Sequence, residues 1–572
     1  MGEEWRGAEA APKTGRFAII EQFLADGIEY MFGNPGTVEQ GFLDAVREYP
    51  RMKYILTLQE SVAVMMGDGY ARATAKPALV QIHSSPGLGN AVGALYQAMR
   101  GHAPLVVIGA DAGLKYMPMD AQMAADLVAF AKPVTKWATM VLDPSSLLRT
   151  IRRAIKIAGT PPTGPVYVCL PADVLDSPCV EAVFPTSFPA TRVAPDSAFI
   201  KEAAALLAGA ERPMMFIGDG VASSGAQEEV ARVAEALGAE IWGVDAGELN
   251  VSYGHPLYQG QTGHMFGQAS LPITSRGDVN LICGTYMVPE VFPHLGDIFA
   301  QDARVIHIDL NAYEIAKNHR VDMGVVSDPR LTLSLLAEAL QPLLKGDRGS
   351  AARARAAKLA SENGEKRKKK LAADQKVRDE IPLHASRFME ELASKLPADA
   401  VIFDEALTSS PDLTRYIPPT MPGHFFQTRG GSLGVGIPGA LGAKLANPDK
   451  TVVGFTGDGG SMYTIQALWT AAHHGIGAKF VVCNNQSYML LELNILQYWK
   501  ERGIEEHAFP ESFRLGEPGI DFAALSRSLG VPAARVQSPD EIGPAIREML
   551  ETEGPFLIDC VLTSRVPGAK GQ

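Results

Sequence analysis

The chain has 572 residues, 46% of them hydrophobic and 20% charged, with a formal net charge of -12. That length supports several domains with cores of their own, and the acidic balance disfavours nucleic acid or an anionic membrane surface as the main partner. Five cysteines, Cys169, Cys179, Cys283, Cys483 and Cys560, lack metal-ligand or Cys-x-x-Cys spacing, so buried free thiols in a reducing compartment are expected. Met1-Gly2-Glu3-Glu4-Trp5-Arg6 lacks the basic-then-apolar pattern of a secretion signal, and no charge-free apolar span is long enough to cross a bilayer. A cytoplasmic protein without membrane contact is the expectation.

In chain order, a first block covers residues 1–190. Apolar runs at Tyr30 to Phe32, Ala78 to Ile82, Leu105 to Ile108 and Val166 to Leu170 alternate with helical stretches, the rhythm of parallel strands joined by crossover helices. A segment rich in Pro, Ser and Thr, Thr186 to Pro195, closes the block. The second block, 191–345, repeats the rhythm around Pro213 to Ile217, Val279 to Cys283 and Val305 to Ile308. A charged, Ala-rich linker, 346–382, follows and is predicted to be partly helical. Its run Lys366-Arg367-Lys368-Lys369-Lys370 reads as a solvated helix face, with phosphate contact as the alternative. The third block, 383–572, completes a fold class of α/β type with three doubly wound parallel-sheet domains.

The third block carries the most specific pattern. Gly457-Asp458-Gly459 closes the apolar run Thr451 to Phe455, and Asn484-Asn485 ends a second run, Phe480 to Cys483. The Asp458 carboxylate and the Asn485 amide are hard oxygen donors, suited to a magnesium ion that also keeps phosphate oxygens in its shell. Gly459 and Gly460 let an anion approach the main chain, and a helix predicted over Ser461 to His474 would aim its first N–H groups at that anion. Two further Gly-Asp-Gly tripeptides, Gly67 to Gly69 and Gly218 to Gly220, have no Asn-Asn pair downstream and read as ordinary turns.

Three such domains with this clamp in the last resemble the thiamine-diphosphate enzymes of the decarboxylase and acetohydroxyacid-synthase group, over about Phe17 to Leu562. The first domain looks most like benzoylformate decarboxylase, through Phe32-Gly33-Asn34-Pro35-Gly36, Leu58-Gln59-Glu60, and His83-Ser84-Ser85 with Gly89-Asn90. The resemblance implies pyrimidine-binding, central and diphosphate-binding domains, with thiamine diphosphate and magnesium as cofactors. It matches Glu60 to the glutamate on the far nitrogen of the aminopyrimidine, which favours the tautomer that generates the reactive carbanion. It matches Asp458, Asn485 and the Ser487 carbonyl to the metal ligands, and Leu433, after Gly430-Gly431, to an apolar wedge that bends the cofactor. Gly36, Asn90, Thr408, Gly457, Gly459, Gly460, Ser461 and Tyr488 are implied as further cofactor contacts. Sites of this family lie between two subunits, so the resemblance implies a homo-oligomer, commonly a tetramer, with Glu60 and Asp458 from different chains.

The substrate is less constrained. Benzoylformate-type enzymes use a serine and two histidines; Thr37 stands at the serine position and His83 at the first histidine. The second is out of register, because the segment after Gly284 reads Thr285-Tyr286-Met287-Val288-Pro289-Glu290-Val291 and the nearest candidate is His294. A second departure is Glu492, whose same-face helical neighbours Tyr488, Met489, Ile495 and Leu496 are apolar. It reads as a proton acceptor, or as a cap or ion-pair partner. A carboxylate near the scissile bond suits a small-molecule substrate without a free carboxylate, such as a 2-hydroxyacyl-CoA thioester cleaved to formyl-CoA and a ketone or aldehyde. The closest resemblance is therefore to bacterial 2-hydroxyacyl-CoA lyases, acting reversibly as carboligases. A benzoylformate-type 2-oxo acid decarboxylase and an acetohydroxyacid-synthase-like ligase are the alternatives. A nucleotide-binding protein that kept the fold without catalysis is a further reading, against which the intact Glu60, Asp458 and Asn485 speak.

Asp309, after the strand Val305 to Ile308, is a candidate for a ribose hydroxyl of ADP or of the CoA adenosine, or for a helix cap; FAD is not favoured there. The tail from Thr563, with Ser564, Arg565, Val566, Pro567 and Lys570, reads as a lid over the site or a frayed terminus.

Overall fold

Strands that are apolar on both faces need cover on both sides, which a parallel sheet obtains from its crossover helices. The computed structural model describes residues 13–566; Met1 to Arg6, Pro567 and Lys570 lie outside the described residues. The chain divides into two compact units, with the boundary in the sequence between Pro189 and Ala190.

The first unit holds one six-stranded sheet: β1 (Tyr30–Gly33), β2 (Lys53–Leu56), β3 (Ala78–Ile82), β4 (Leu105–Asp111), β5 (Trp137–Met140) and β6 (Val166–Pro171). Every pairing is parallel, in the order β2-β1-β3-β4-β6-β5. Leu79, Val80, Ile82, Leu105, Val106 and Val107 are fully buried, and each such side chain contributes roughly 1.5–3 kcal/mol. The order reverses between β1 and β3, the position at which open α/β sheets bind ligands beyond their carboxyl ends.

The second unit holds two sheets. The central one comprises β7 (Pro213–Ile217), β8 (Glu240–Gly243), β9 (Tyr258–Gln261), β10 (Val279–Cys283), β11 (Arg304–Asp309) and β12 (Met323–Val326), ordered β12-β11-β10-β7-β8-β9. The last comprises β13 (Val401–Glu405), β14 (Phe425–Gln427), β15 (Val452–Gly457), β16 (Lys479–Asn484), β17 (Ala533–Val536) and β18 (Phe556–Val561), ordered β14-β13-β15-β16-β18-β17. It repeats the order of the first sheet, with its reversal between β13 and β15. All three sheets are parallel, as the apolar runs predict.

Several local expectations are corrected. Gly67-Asp68-Gly69 is not a turn: it lies inside the helix Glu60–Thr74, where buried Asp68 faces Arg72 at 3.6 Å. Gly218-Asp219-Gly220 leads from β7 into the helix Asp219–Ser224, and a Cβ on Gly220 would come within 2.5 Å of Gly284. The helix expected over Ser461 to His474 is broken. One turn, Asp458–Ser461, begins three residues earlier, and a separate helix, Ala467–His473, follows a run of turns.

The linker is a single helix, Asp347–Asp374, of 28 residues. Asn363 Nδ2 donates to Pro256 O and Tyr258 O at 2.9 and 2.8 Å, and Asp374 accepts a fork from Arg415 at 2.8 and 3.1 Å. Lys366 to Lys370 are exposed on it. The five cysteines are buried and unpaired. Thr563 N bonds Leu383 O at 2.8 Å and Val566 is buried, so the described part of the tail is held against the domain. Among the described residues no helix is long and apolar enough to cross a membrane.

Candidate active site

In the first unit the order reversal brings together the segments leaving β1 and β3. Gln59 caps the helix Glu60–Thr74 by accepting from Ser61 N and Val62 N, which sets Glu60 in the first turn. Glu60 is 5% exposed; Oε1 accepts from Asn34 Nδ2 at 3.1 Å and Oε2 from Asn90 Nδ2 at 3.0 Å. Gly87 opens the wall beside it, since a Cβ there would stand 2.8 Å from Glu60 Oε1. Asn34 is tied to the sheet in turn, because Gln81 Nε2 donates to Asn34 O at 3.3 Å while Gln81 Oε1 accepts from Tyr54 Oη at 2.6 Å.

His83, directly after β3, faces Glu39. Its Nδ1 lies 3.0 and 3.2 Å from the two Glu39 carboxylate oxygens, and Glu39 is 2% exposed. Burial pushes the Glu39 carboxyl up, opposed by the His83 charge and hydrogen bond. The tautomer in which Nδ1 donates to Glu39 leaves Nε2 as the acceptor nitrogen of the ring. Gly36 lies against the imidazole, and Thr37 follows in an exposed turn. Glu39 was not legible in the sequence, since its only signal is the partner that His83 requires.

In the second unit Asp458 follows β15 and Asn485 follows β16, side by side in the last sheet. Asp458 is 5% exposed; Oδ1 accepts from Gly459 N at 2.8 Å, and Oδ2 has no hydrogen-bond partner among the described residues. Burial pushes its carboxyl up to about 6, against the pull of nearby N–H groups of Gly459, Gln486 and Ser487. Ser461 Oγ turns inward to Asp458 O at 2.8 Å, so its hydroxyl closes the turn. Asn485 Oδ1 accepts from Ser487 N at 3.0 Å, bending the chain through Gln486, whose φ is +58°. A Cβ on Gly459 would meet the Tyr488 ring at 2.3 Å. The bare backbone there is a space that only glycine leaves open.

Glu492 lies on the helix Met489–Arg502 and is 5% exposed. Oε1 accepts from Ser487 Oγ at 2.7 Å, and Oε2 has no hydrogen-bond partner among the described residues. Its expected neighbours Tyr488, Met489, Ile495 and Leu496 are half-buried. The cap or ion-pair alternative gives way to a bond with a neutral hydroxyl, next to a residue expected at the metal.

Two further carboxylates shape the site. Glu405, 1% exposed at the end of β13, accepts from the backbone N–H of Gly434 and Gly436 and from Thr456 Oγ1, and burial pushes it up to about 7. It thereby holds the loop that carries half-buried Leu433. Asp404 beside it accepts from Ser410 Oγ and Gln427 Nε2. Nothing in the sequence sets them apart, where Asp404-Glu405 looks like the polar end of a strand. Thr408 sits half-buried in the turn that follows.

Family models match all three parts: a thiamine pyrophosphate enzyme N-terminal TPP binding domain over residues 13–130, the central domain over 200–336, and the C-terminal TPP binding domain over 408–560. The chain is 31% identical to a Methanocaldococcus jannaschii protein named "Probable acetolactate synthase large subunit", over 96% of this chain and 92% of that one. It belongs to the thiamine pyrophosphate enzyme family. Identity to the benzoylformate decarboxylase of Pseudomonas aeruginosa is 29%, over 96% of this chain and 98% of the relative. The solved thiamine diphosphate-dependent 4-hydroxybenzoylformate decarboxylase of Rhodococcus jostii RHA1 superposes with a TM-score of 0.82 at 25% identity, covering 96% of this chain and 99% of that one.

The residues of this thiamine pyrophosphate enzyme fit its cofactor. Buried Asp458 with an unengaged oxygen, the adjacent Asn485 amide and the bare backbone at Gly459 are the hard-oxygen donors and the space that a magnesium-bound diphosphate would need. Among the described residues no group of three or more His, Cys, Asp or Glu is placed to hold a metal. Asp309 lies apart, at the end of β11 in the central sheet. It is 9% exposed, accepts from Asn311 N at 2.7 Å, and is pushed by burial up to about 7. His294 lies beside Gln268 in the central domain.

Proposed function

We propose that this thiamine pyrophosphate enzyme is a carbon–carbon lyase that reversibly cleaves a 2-hydroxyacyl-CoA thioester, of short branched acyl group, to formyl-CoA and a ketone or aldehyde. The observation that supports it best is Glu492, a buried carboxylate beside the expected metal ligands with one oxygen on the Ser487 hydroxyl and the other unengaged. Such a group repels a substrate bringing its own carboxylate to the reacting centre. It suits a neutral thioester whose 2-hydroxyl must lose a proton as the bond between carbons 1 and 2 breaks.

Thiamine diphosphate, when bound, supplies the nucleophilic carbon and stabilises the electron pair released from the broken bond. Glu60, with its two oxygens oriented by Asn34 and Asn90, holds the aminopyrimidine. Gly36 leaves room for His83 beside it. Asp458, Asn485 and the Ser487 carbonyl hold magnesium; Gly457, Gly459, Gly460, Ser461, Thr408 and Tyr488 surround the diphosphate. Glu492 Oε2 accepts the 2-hydroxyl proton, and that proton ends on the carbon that becomes the formyl group. His83 Nε2 and the Thr37 hydroxyl exchange protons at the substrate oxygen. Asp309 is kept as a candidate contact for ADP or the CoA adenosine. Glu60 and Asp458 act together across a homo-oligomer, a dimer or tetramer.

A benzoylformate-type 2-oxo acid decarboxylase is the second reading, favoured by His83 on Glu39 in the segment that resembles that enzyme and by the Pseudomonas relative's name. An acetohydroxyacid-synthase-like ligase is the third, after the Methanocaldococcus relative. Purified protein with thiamine diphosphate and magnesium would be given a short branched 2-hydroxyacyl-CoA, benzoylformate and pyruvate in parallel. Ketone release from the thioester supports the lyase. Carbon dioxide from benzoylformate, or acetolactate from pyruvate, with an inert thioester overturns it.

A further inference from the structure

The loop that carries Leu433 is held at both ends. Glu405 grips its far end through the N–H groups of Gly434 and Gly436, and Thr464 Oγ1 donates to Gly434 O at 2.6 Å. At its near end stands Arg429, 6% exposed, with its guanidinium 3.4 Å from Asp219 and 3.1 Å from Asp245. Gly430 and Gly431, with φ of +69° and +74°, separate it from Ser432 and Leu433. Two left-handed glycines have no side chains to pack and a wide choice of backbone angles. The anchors therefore define where Leu433 sits.

Both carboxylates belong to the central domain. Asp219 follows β7 and Asp245 follows β8, at the carboxyl edge of that sheet. Asp219 is fixed by Gly247 N at 3.0 Å, Glu248 N at 3.1 Å and Asn250 Nδ2 at 3.2 Å. Asp245 is held in a left-handed conformation, with φ of +46°. The same segment receives β14, since Gln427 N donates to Gly247 O at 2.7 Å and Glu248 bridges Phe426. A buried ion cluster is a weak source of stability, because desolvation offsets the attraction. What the planar guanidinium does well is fix an orientation between two carboxylates.

We propose that Arg429 is a positioning residue: gripped by Asp219 and Asp245, it seats Leu433, so that the central domain sets the apolar support under the cofactor. The inference rests on the reading of Leu433 as that support. It is tested in the full-length holoenzyme with Leu433→Ala, Arg429→Met and their combination, reading turnover, thiamine diphosphate affinity, melting temperature and the near-ultraviolet circular dichroism of the bound cofactor. Each single variant is expected to change the dichroism and lower turnover about tenfold or more, as misplacements of about 1 Å do, with affinity little changed and the double no worse than the poorer single. Unchanged dichroism and turnover in Arg429→Met, alongside a defective Leu433→Ala, overturn the role of Arg429. A silent Leu433→Ala overturns the wedge reading beneath it. Multiplicative losses in the double make Arg429 independent of Leu433 and overturn the proposal. Should Arg429→Met fail to fold, Asp245→Asn carries the same comparison, with a smaller loss in the same direction expected and wild-type behaviour counting against.

Discussion

Gly36 and His83 are in contact so close that a Cβ on Gly36 would fall 1.9 Å from the imidazole Nδ1. The atom it would strike is the one bonded to Glu39. Gly36→Ala should therefore swing His83 off Glu39 and cost about 1–3 kcal/mol of stability, because the buried Glu39 carboxylate loses its side-chain partner. Turnover should fall at least about tenfold. Steady-state kinetics beside thermal melts would check this, and unchanged turnover would remove the His83–Glu39 pair from the chemistry.

Glu60 receives one amide from each side, Asn34 and Asn90. Glu60→Gln preserves the volume but offers an N–H where one of those amides donates. Activity should drop by about a hundredfold or more, with assembly and much of the cofactor binding kept. Size-exclusion chromatography and calorimetric titration with thiamine diphosphate separate these effects.

The unengaged Asp458 Oδ2 predicts dependence on a divalent cation. Asp458→Ala should abolish the magnesium-dependent part of thiamine diphosphate retention, and the wild type should lose the same part on chelation. Equilibrium dialysis with and without magnesium reads both; equal retention throughout would mean that Asp458 does not serve the metal.

Glu492→Gln keeps an oxygen for the Ser487 hydroxyl while removing the proton acceptor. Thioester cleavage should fall by roughly two to four orders of magnitude, with cofactor affinity within about threefold. A variant that cleaves at the wild-type rate would return Glu492 to a purely structural place on its helix.

Asp309 gives a pH signature. Burial raises its carboxyl from 3.8 to about 7 in the folded protein. Between those values the folded state keeps a proton that the unfolded state has released, so this group costs stability progressively as pH rises through the window. The cost at pH 8 is on the order of 4 kcal/mol. Asp309→Asn keeps an acceptor for Asn311 N and should melt higher than wild type above pH 7, with the advantage vanishing near pH 4. Melting curves across that range are the check, and parallel curves for both proteins would count against a buried, protonated Asp309.

The strands legible in the sequence are those buried on both faces, such as β3, β7 and β16, where continuous apolar runs leave little choice. Edge strands such as β2, β9 and β17 are short and half-exposed, so their residues do not stand out from loops. The central strand β13 was hidden for a different reason: Asp404 and Glu405 end it with charges whose burial only becomes sensible once Gly434, Gly436, Ser410 and Gln427 are seen to satisfy them. Glu60, Asp458 and Asn485 could be read because local motif order carries them. Glu39 and Arg429 could not, because the partners that give them meaning are distant in the chain.

The helix Asp347–Asp374 is roughly 40 Å long and is docked past its middle, on Tyr258 through Asn363, and at its C-terminal end, on Arg415 through Asp374. Each residue added between those docks would turn Asp374 about 100° around the axis, away from Arg415. Seven added residues would bring it back to within about 20°. Those seven residues would also carry Asp374 about 10 Å along the axis, out of reach of Arg415, so the segment behaves as a ruler that fixes length and angular phase together.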